Sequence, residues 1–257
     1  MRFFYSIGIV LAMGGATLQA NSLAYELTGN AGFGTVDLNT GIYTSIGSQS
    51  QQLAGLGVAG GLLYGALYGG NTLYQVDTST GAITSVGNAL LNYQDFGSTL
   101  SGLYAIGADR HLYSINASTG APTDIGDTGL ALAGITIGLS TNSSTLYYTN
   151  GTNLYTLNTS TGAATLVGST GARIGAMVFE GGSLWAGVES PLSFDTLNTT
   201  NGNATFVSSD SNGSIIYGLA PVASTAGTPE PGTWTLLATA MGALALLRRR
   251  RKAIQNQ

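Results

Sequence analysis

Apolar and polar side chains alternate along short runs that end in glycine, asparagine, aspartate or threonine, and no part of the central chain keeps the 3.6-residue period of an amphipathic helix. The alternation predicts strands. Five runs are versions of one another: FGTVDLNTGIYTSIG, LYQVDTSTGAITSVG, LYSINASTGAPTDIG, LYTLNTSTGAATLVG and SFDTLNTTNGNATFVS. They share Gly41, Gly81, Gly120, Gly162 and Gly202, spaced by 40, 39, 42 and 40 residues. Four positions before each glycine stands Asp37, Asp77, Asn116, Asn158 or Asn198, and three after it Thr44, Thr84, Thr123, Thr165 or Thr205. This is a hairpin signature: the Asp or Asn side chain accepts hydrogen bonds from the backbone of the turn, and glycine supplies a positive φ that a β-branched residue resists.

A second apolar unit, rich in small residues, precedes the hairpins, as in LAGLGVAGGLLYGALYG, ALAGITIGLSTNSSTLYYTN and RIGAMVFEGGSLWAGV. It supplies two more strands, making four per repeat. Glycine and alanine let strands converge on an axis, while the Leu, Tyr and Trp positions fill the space between neighbouring sheets. The expected fold is all-β, a five-bladed β-propeller, with a right-handed β-solenoid as the rival use of the same repeat. The body begins mid-repeat at SLAYELTG and finishes with SIIYGLAPV, which matches only a first strand. Residues 22–47 and 214–222 therefore share one blade, and the others cover roughly 53–87, 91–126, 131–168 and 173–208. A propeller domain over 21–222 and a linker over 223–228 follow.

Both ends read as addresses. Residues 1–20 run from Arg2 through the apolar stretch Phe3–Met13 to a small residue at Ala20, the layout of a secretory signal peptide, with cleavage after Ala24 as the alternative. The other end reads TPEPGTWTLLATAMGALALLRRRRK. Pro229, Glu230 and Pro231 form an extended, accessible peptide; Gly232–Leu247 is uncharged and apolar; Arg248, Arg249, Arg250 and Arg251 resist translocation. As a helix the apolar part spans about 24 Å, a minimal transmembrane anchor against a core of about 30 Å. These three parts, over residues 229–252, resemble the PEP-CTERM sorting signal of exported bacterial proteins. The resemblance implies that a membrane protease of the exosortase type is a processing partner. It further implies transient tethering in the inner membrane, cleavage near Glu230 and a final location at the cell surface or outside the cell, among exopolysaccharide.

Composition narrows the functions. Of the 257 residues 44% are apolar and 8% charged, and the net charge of −4 conceals a segregation. Between the two ends stand Arg110 and Arg173 against eleven acids, so no nucleic-acid partner is expected. The absence of cysteine removes disulfides, thiolate metal sites and cysteine nucleophiles, and one histidine removes multi-histidine centres. No cofactor is expected. Gly55, Gly57 and Gly60 spell GxGxxG with Asp77 downstream, but no helix pattern follows Gly60 and Asp77 belongs to the hairpin series.

Functional residues in a repeat protein are sought where an ionisable group breaks the repeat. Asp95 and Arg173 do so on expected innermost strands, as candidate ligand contacts at the channel, and Trp185 is a candidate for stacking on a sugar ring unless it packs between blades. Asp109, Arg110, His111, Glu180, Glu189 and Asp210 are further departures. His111 is expected to begin a strand with its ring partly exposed. A glycosidase needs two carboxylates at a set separation, and the first strands offer only Asp95. Single acids spread round a ring do not converge on calcium. The pattern thus predicts a non-catalytic binding or structural module of the envelope or exopolysaccharide layer, with a polysaccharide-acting propeller enzyme as the alternative.

Overall fold

A computed structural model describes residues 22–222 apart from 54, 68, 89–91, 132–138 and 142–144. The expected signal peptide, linker and sorting signal, including Pro229–Pro231 and Arg248–Arg251, lie outside the described residues. Among the described residues no helix is long and apolar enough to cross a membrane.

Residues 22–222 form five four-stranded antiparallel sheets arranged as the blades of a propeller. The first blade contains β1 (Leu23–Thr28), β2 (Gly32–Asp37) and β3 (Ile42–Ser48). The second is β4 (Leu56–Ala59), β5 (Leu62–Ala66), β6 (Thr72–Val76) and β7 (Ile83–Asn88), and the third β8 (Tyr93–Thr99), β9 (Gly102–Gly107), β10 (His111–Ile115) and β11 (Pro122–Asp127). The fourth is β12 (Leu139–Thr141), β13 (Leu146–Asn150), β14 (Asn153–Leu157) and β15 (Ala164–Ser169); the fifth is β16 (Ile174–Glu180), β17 (Ser183–Glu189), β18 (Leu192–Leu197) and β19 (Ala204–Ser209). The last strand, β20 (Ile216–Pro221), pairs with β1 and completes the first blade. One blade thus holds both ends of the domain. Innermost strands close the ring: β20 packs on β4, β4 on β8, β8 on β12, β12 on β16 and β16 on β20.

The five hairpins fold as their sequence dictates. In each, an Asp or Asn Oδ1 accepts the backbone N–H two residues on, at 2.9, 2.8, 2.9, 2.8 and 2.8 Å for Asp37, Asp77, Asn116, Asn158 and Asn198. The N–H of the shared glycine then bonds the carbonyl of that same residue at 2.7–2.8 Å, with φ between 71° and 81°. The GxGxxG segment runs through β4 into its turn, in place of a strand-to-helix junction.

Five apolar clusters lie between neighbouring blades, because alternate residues of each middle strand face opposite neighbours. Leu27 and Phe33 face the second blade with Leu53 and Leu63, whereas Ala24 and Val36 face the fifth with Trp185 and Phe194. Each outermost strand carries a bulge whose extra residue, Ile46, Val86, Ile125, Val167 or Val207, tucks into the cluster shared with the next blade. These bulges bend the outermost edges and oppose strand addition.

Candidate functional site

Asp95 lies on β8 at the axis, and its neighbours explain the space there. Three innermost strands bulge against their partners, at Gln94, Gly175 and Tyr217, which brings Asp95, Ala176 and Gly218 into equivalent register, with Gly55 beside them. Small residues at three of these positions leave room for the one carboxylate. Asp95 is 4% exposed, and its Oδ1 accepts the Phe96 N–H at 2.7 Å. The cavity they line, with Leu56, Met177, Tyr217 and Leu219, has a volume of about 10 Å³, the space of one water. No sugar ring enters it.

Arg173 does not join Asp95. It immediately precedes β16, its side chain is more than half exposed, and its Nε stands 3.7 Å from Glu189 Oε2. Burial raises the Glu189 carboxyl and Arg173 opposes that rise. Trp185 corrects the expectation of an aromatic contact surface. It is 4% exposed in the cluster between the fifth and first blades, and its indole N–H donates to the Glu180 carbonyl at 3.2 Å. A buried ring cannot stack on a ligand. Its place in the repeat carries the signal, because Leu184-Trp185 is the equivalent of Leu63-Tyr64, Leu103-Tyr104 and Leu146-Tyr147.

His111 begins β10 with its side chain 34% exposed and Nδ1 3.0 Å from both Asp124 oxygens, a contact that raises its pKa. Arg110 stands 3.7 Å from Asp127, and the Tyr113 hydroxyl donates to Asp109. The Tyr113 hydroxyl is thereby committed to an acid other than the histidine's partner. Among the described residues no group of three or more His, Cys, Asp or Glu is placed to hold a metal.

An open groove of about 540 Å³ lies on the fifth blade, and the sequence reading did not single it out. Phe179 at the end of β16, Ser183 and Leu184 on β17, Thr196 on β18 and Thr205 on β19 line it, together with the Asn198–Thr200 turn. Phe179 is half-buried, and the Asn198 Oδ1 accepts both the N–H and the hydroxyl of Thr200, at 2.8 and 2.7 Å. None of the groove's lining side chains is ionisable. A partly exposed aromatic beside hydroxyls and an amide is a surface for a polar, neutral ligand. Spacing within one repeat gives no sign of it, because it joins a turn between β16 and β17 to a hairpin two strands away.

No family model matches this chain, and no curated protein sequence does. Solved structures do. A chain in the crystal structure of the nidogen/laminin complex aligns with a TM-score of 0.56 at 10% identity, covering 80% of this chain and 99% of its own length. A symmetrical protein described for its de novo evolutionary emergence under folding constraints aligns with a TM-score of 0.54 at 14% identity, covering 78% and 99%. These likenesses establish the propeller fold.

Proposed function

We propose that this protein is an exported, exosortase-sorted propeller that binds polysaccharide of the cell surface or extracellular matrix without cleaving it. The observation that carries the reading is the lining of the groove on the fifth blade: Phe179, Thr196, Asn198, Thr200 and Thr205, hydroxyl and amide groups around an aromatic face, with no acid or base among them. Sugars are recognised by such pairs of apolar face and neutral hydrogen-bonding group. The outermost strands add repetition. Thr44, Thr84, Thr123, Thr165 and Thr205 are all exposed at equivalent places, so weak contacts along a polymer gain from linkage in one ring. The terminal signals bring the protein to that polymer: residues 1–20 for export, and Pro229–Pro231 with the apolar segment and Arg248–Arg251 for sorting. A neighbour in fold comes from a complex of nidogen with laminin, a protein-binding use of the architecture that stays an analogy.

The test is native electrophoresis of the purified chain in gels containing the host's exopolysaccharide, with reducing ends assayed on the same samples. Retardation without new reducing ends is expected. New reducing ends would establish the enzyme, and unaltered migration would remove the polysaccharide.

A further inference from the structure

In the fifth blade a hairpin asparagine shares its end of the sheet with an aromatic ring, and in no other blade does it do so. Phe179 stands opposite Leu184, and Leu184 opposite Leu197, the residue before Asn198. In place of Phe179 the other blades carry Val58, Ser98, Thr141 and Pro221. The other two hairpin asparagines, Asn116 and Asn158, belong to the blades that carry Ser98 and Thr141. Phe179 and Leu197 are two strand spacings apart, about 10 Å. Both line the groove of about 540 Å³, together with Asn198.

The turn settles which way the Asn198 amide points. Its Oδ1 accepts the Thr200 N–H at 2.8 Å and the Thr200 hydroxyl at 2.7 Å, so both acceptor sites of that oxygen are occupied. A backbone N–H only donates, and the reversed amide would set two donors against each other. What the exposed Asn198 has left to offer a ligand is therefore Nδ2, with two hydrogens to donate. The turn itself does not call for an amide, because Asp37 and Asp77 hold the same hairpin with carboxylates that have nothing to donate. Thr196 and Thr205 lie opposite each other on β18 and β19 and add two hydroxyls to the groove, each able to donate and accept.

These groups discriminate among sugars. Neighbouring hydroxyls of an unsubstituted hexose donate best to a carboxylate, an acidic sugar calls for arginine or lysine, and the ammonium of an amino sugar calls for an acid. None of these residues lines the groove. An acetamido group matches what is there: its carbonyl accepts from Asn198 Nδ2, its N–H donates to a threonine hydroxyl, and its methyl packs on the half-buried Phe179 ring. We propose that the groove on the fifth blade selects N-acetylated sugar residues, with Asn198 holding the acetamido carbonyl and Phe179 its methyl. The assignment rests on the reading of this groove as the polysaccharide site and narrows it to one class of sugar.

The test is calorimetric titration of the purified chain with tetra-N-acetylchitotetraose and with cellotetraose, the same backbone bearing hydroxyls in place of the acetamido groups. The acetylated tetramer is expected to bind about ten times more tightly. Asn198→Asp keeps the turn and removes the donor, and should erase that preference; Phe179→Val, which installs the residue of the second blade, should weaken the acetylated ligand as well. Equal affinities for the two tetramers, or an acetylated ligand indifferent to either substitution, overturn the acetamido assignment and leave the polysaccharide reading standing. Retardation by exopolysaccharide without binding of either tetramer does the same, whereas loss of both retardation and tetramer binding overturns the two readings together. Should a variant fail to fold, saturation-transfer NMR on the native chain decides: the acetyl methyl protons are expected to receive more saturation than the sugar-ring protons, and the reverse order overturns the assignment.

Discussion

The Ser208 hydroxyl donates to the Leu38 carbonyl at 2.8 Å, and with that bond the fifth blade is joined to the first. At the other four joints the equivalent residue is Gly47, Gly87, Gly126 or Gly168, and it presses on the hairpin of the next blade. A Cβ on Gly168 would lie 1.8 Å from the Asn201 carbonyl oxygen, and one on Gly87 1.9 Å from that of Thr119. Only the closing joint makes this contact through a side chain. Gly168→Ala is expected to cost about 3 kcal/mol through forced separation of two blades. Ser208→Ala should cost about 1 kcal/mol, the worth of one hydrogen bond. Urea unfolding of both variants checks the order, and a smaller loss for Gly168→Ala than for Ser208→Ala would show that the joints yield.

The hairpins separate two contributions that the sequence merges. Asn158→Ala removes the 2.8 Å bond from the Ser160 N–H and should cost about 1 kcal/mol. Gly162→Ala should cost more, because φ is 80° and a Cβ would also lie 2.2 Å from the Gly126 carbonyl of the preceding blade. Equal losses in chemical denaturation would mean that the turn alone matters.

This double duty shows where sequence reasoning stops. Period, Asx residue, glycine and the incomplete end repeats were enough to read five blades and the shared first blade, because each rests on local backbone chemistry or on counting. Contacts between blades join residues one repeat apart, and nothing in a single repeat distinguishes a glycine needed for its φ from one needed for close approach. Asp95 was legible as a break in the repeat, and its axial position follows from the strand. Its place in a one-water cavity does not, because that depends on Gly55, Ala176 and Gly218 from other blades. Glu26 is one acid in LAYELTG, and nothing in that segment sets it apart. Aligning it with Gly65, Ala105 and Ala186 requires the ladder register.

Trp185 and Phe179 should part company in a binding experiment. Trp185→Ala opens the cluster between the fifth and first blades and is expected to cost about 3–5 kcal/mol, with Trp185→Phe milder. Phe179→Ala and Thr205→Val touch the groove and should weaken retardation by exopolysaccharide while the protein stays folded. Retardation that is unchanged in both groove variants would move the binding surface elsewhere on the ring.

The proposed sorting makes a prediction in cells. In an exosortase-bearing host, replacing Pro229, Glu230 and Pro231 by alanine should leave an uncleaved precursor in the membrane fraction, whereas the native chain should be released as a shorter form. Replacing Arg248, Arg249, Arg250 and Arg251 by asparagine should impair retention before processing, because the charges that resist translocation are gone. Immunoblots of membrane and medium fractions distinguish these outcomes from unchanged release, which would count against the sorting reading.

Glu26 should make stability fall as pH rises. Its carboxyl, pushed up to about 9 by burial and by Asp210, holds a proton in the folded chain that the unfolded chain gives up near 4.5. The folded state therefore binds more protons across that interval. The stabilisation is complete below 4.5 and drains as pH climbs through about 9. Asp210 and Tyr43 face the same joint, and both are raised, Tyr43 by burial first and by the Glu26 charge second. The difference between native and Glu26→Gln chains isolates the one carboxyl, since glutamine keeps the shape and carries no titrating proton. Urea midpoints should lie close together near pH 5 and diverge toward pH 9 in favour of Glu26→Gln. Parallel curves across that range would mean that water reaches Glu26, and that the joint between the first and last blades is not dry.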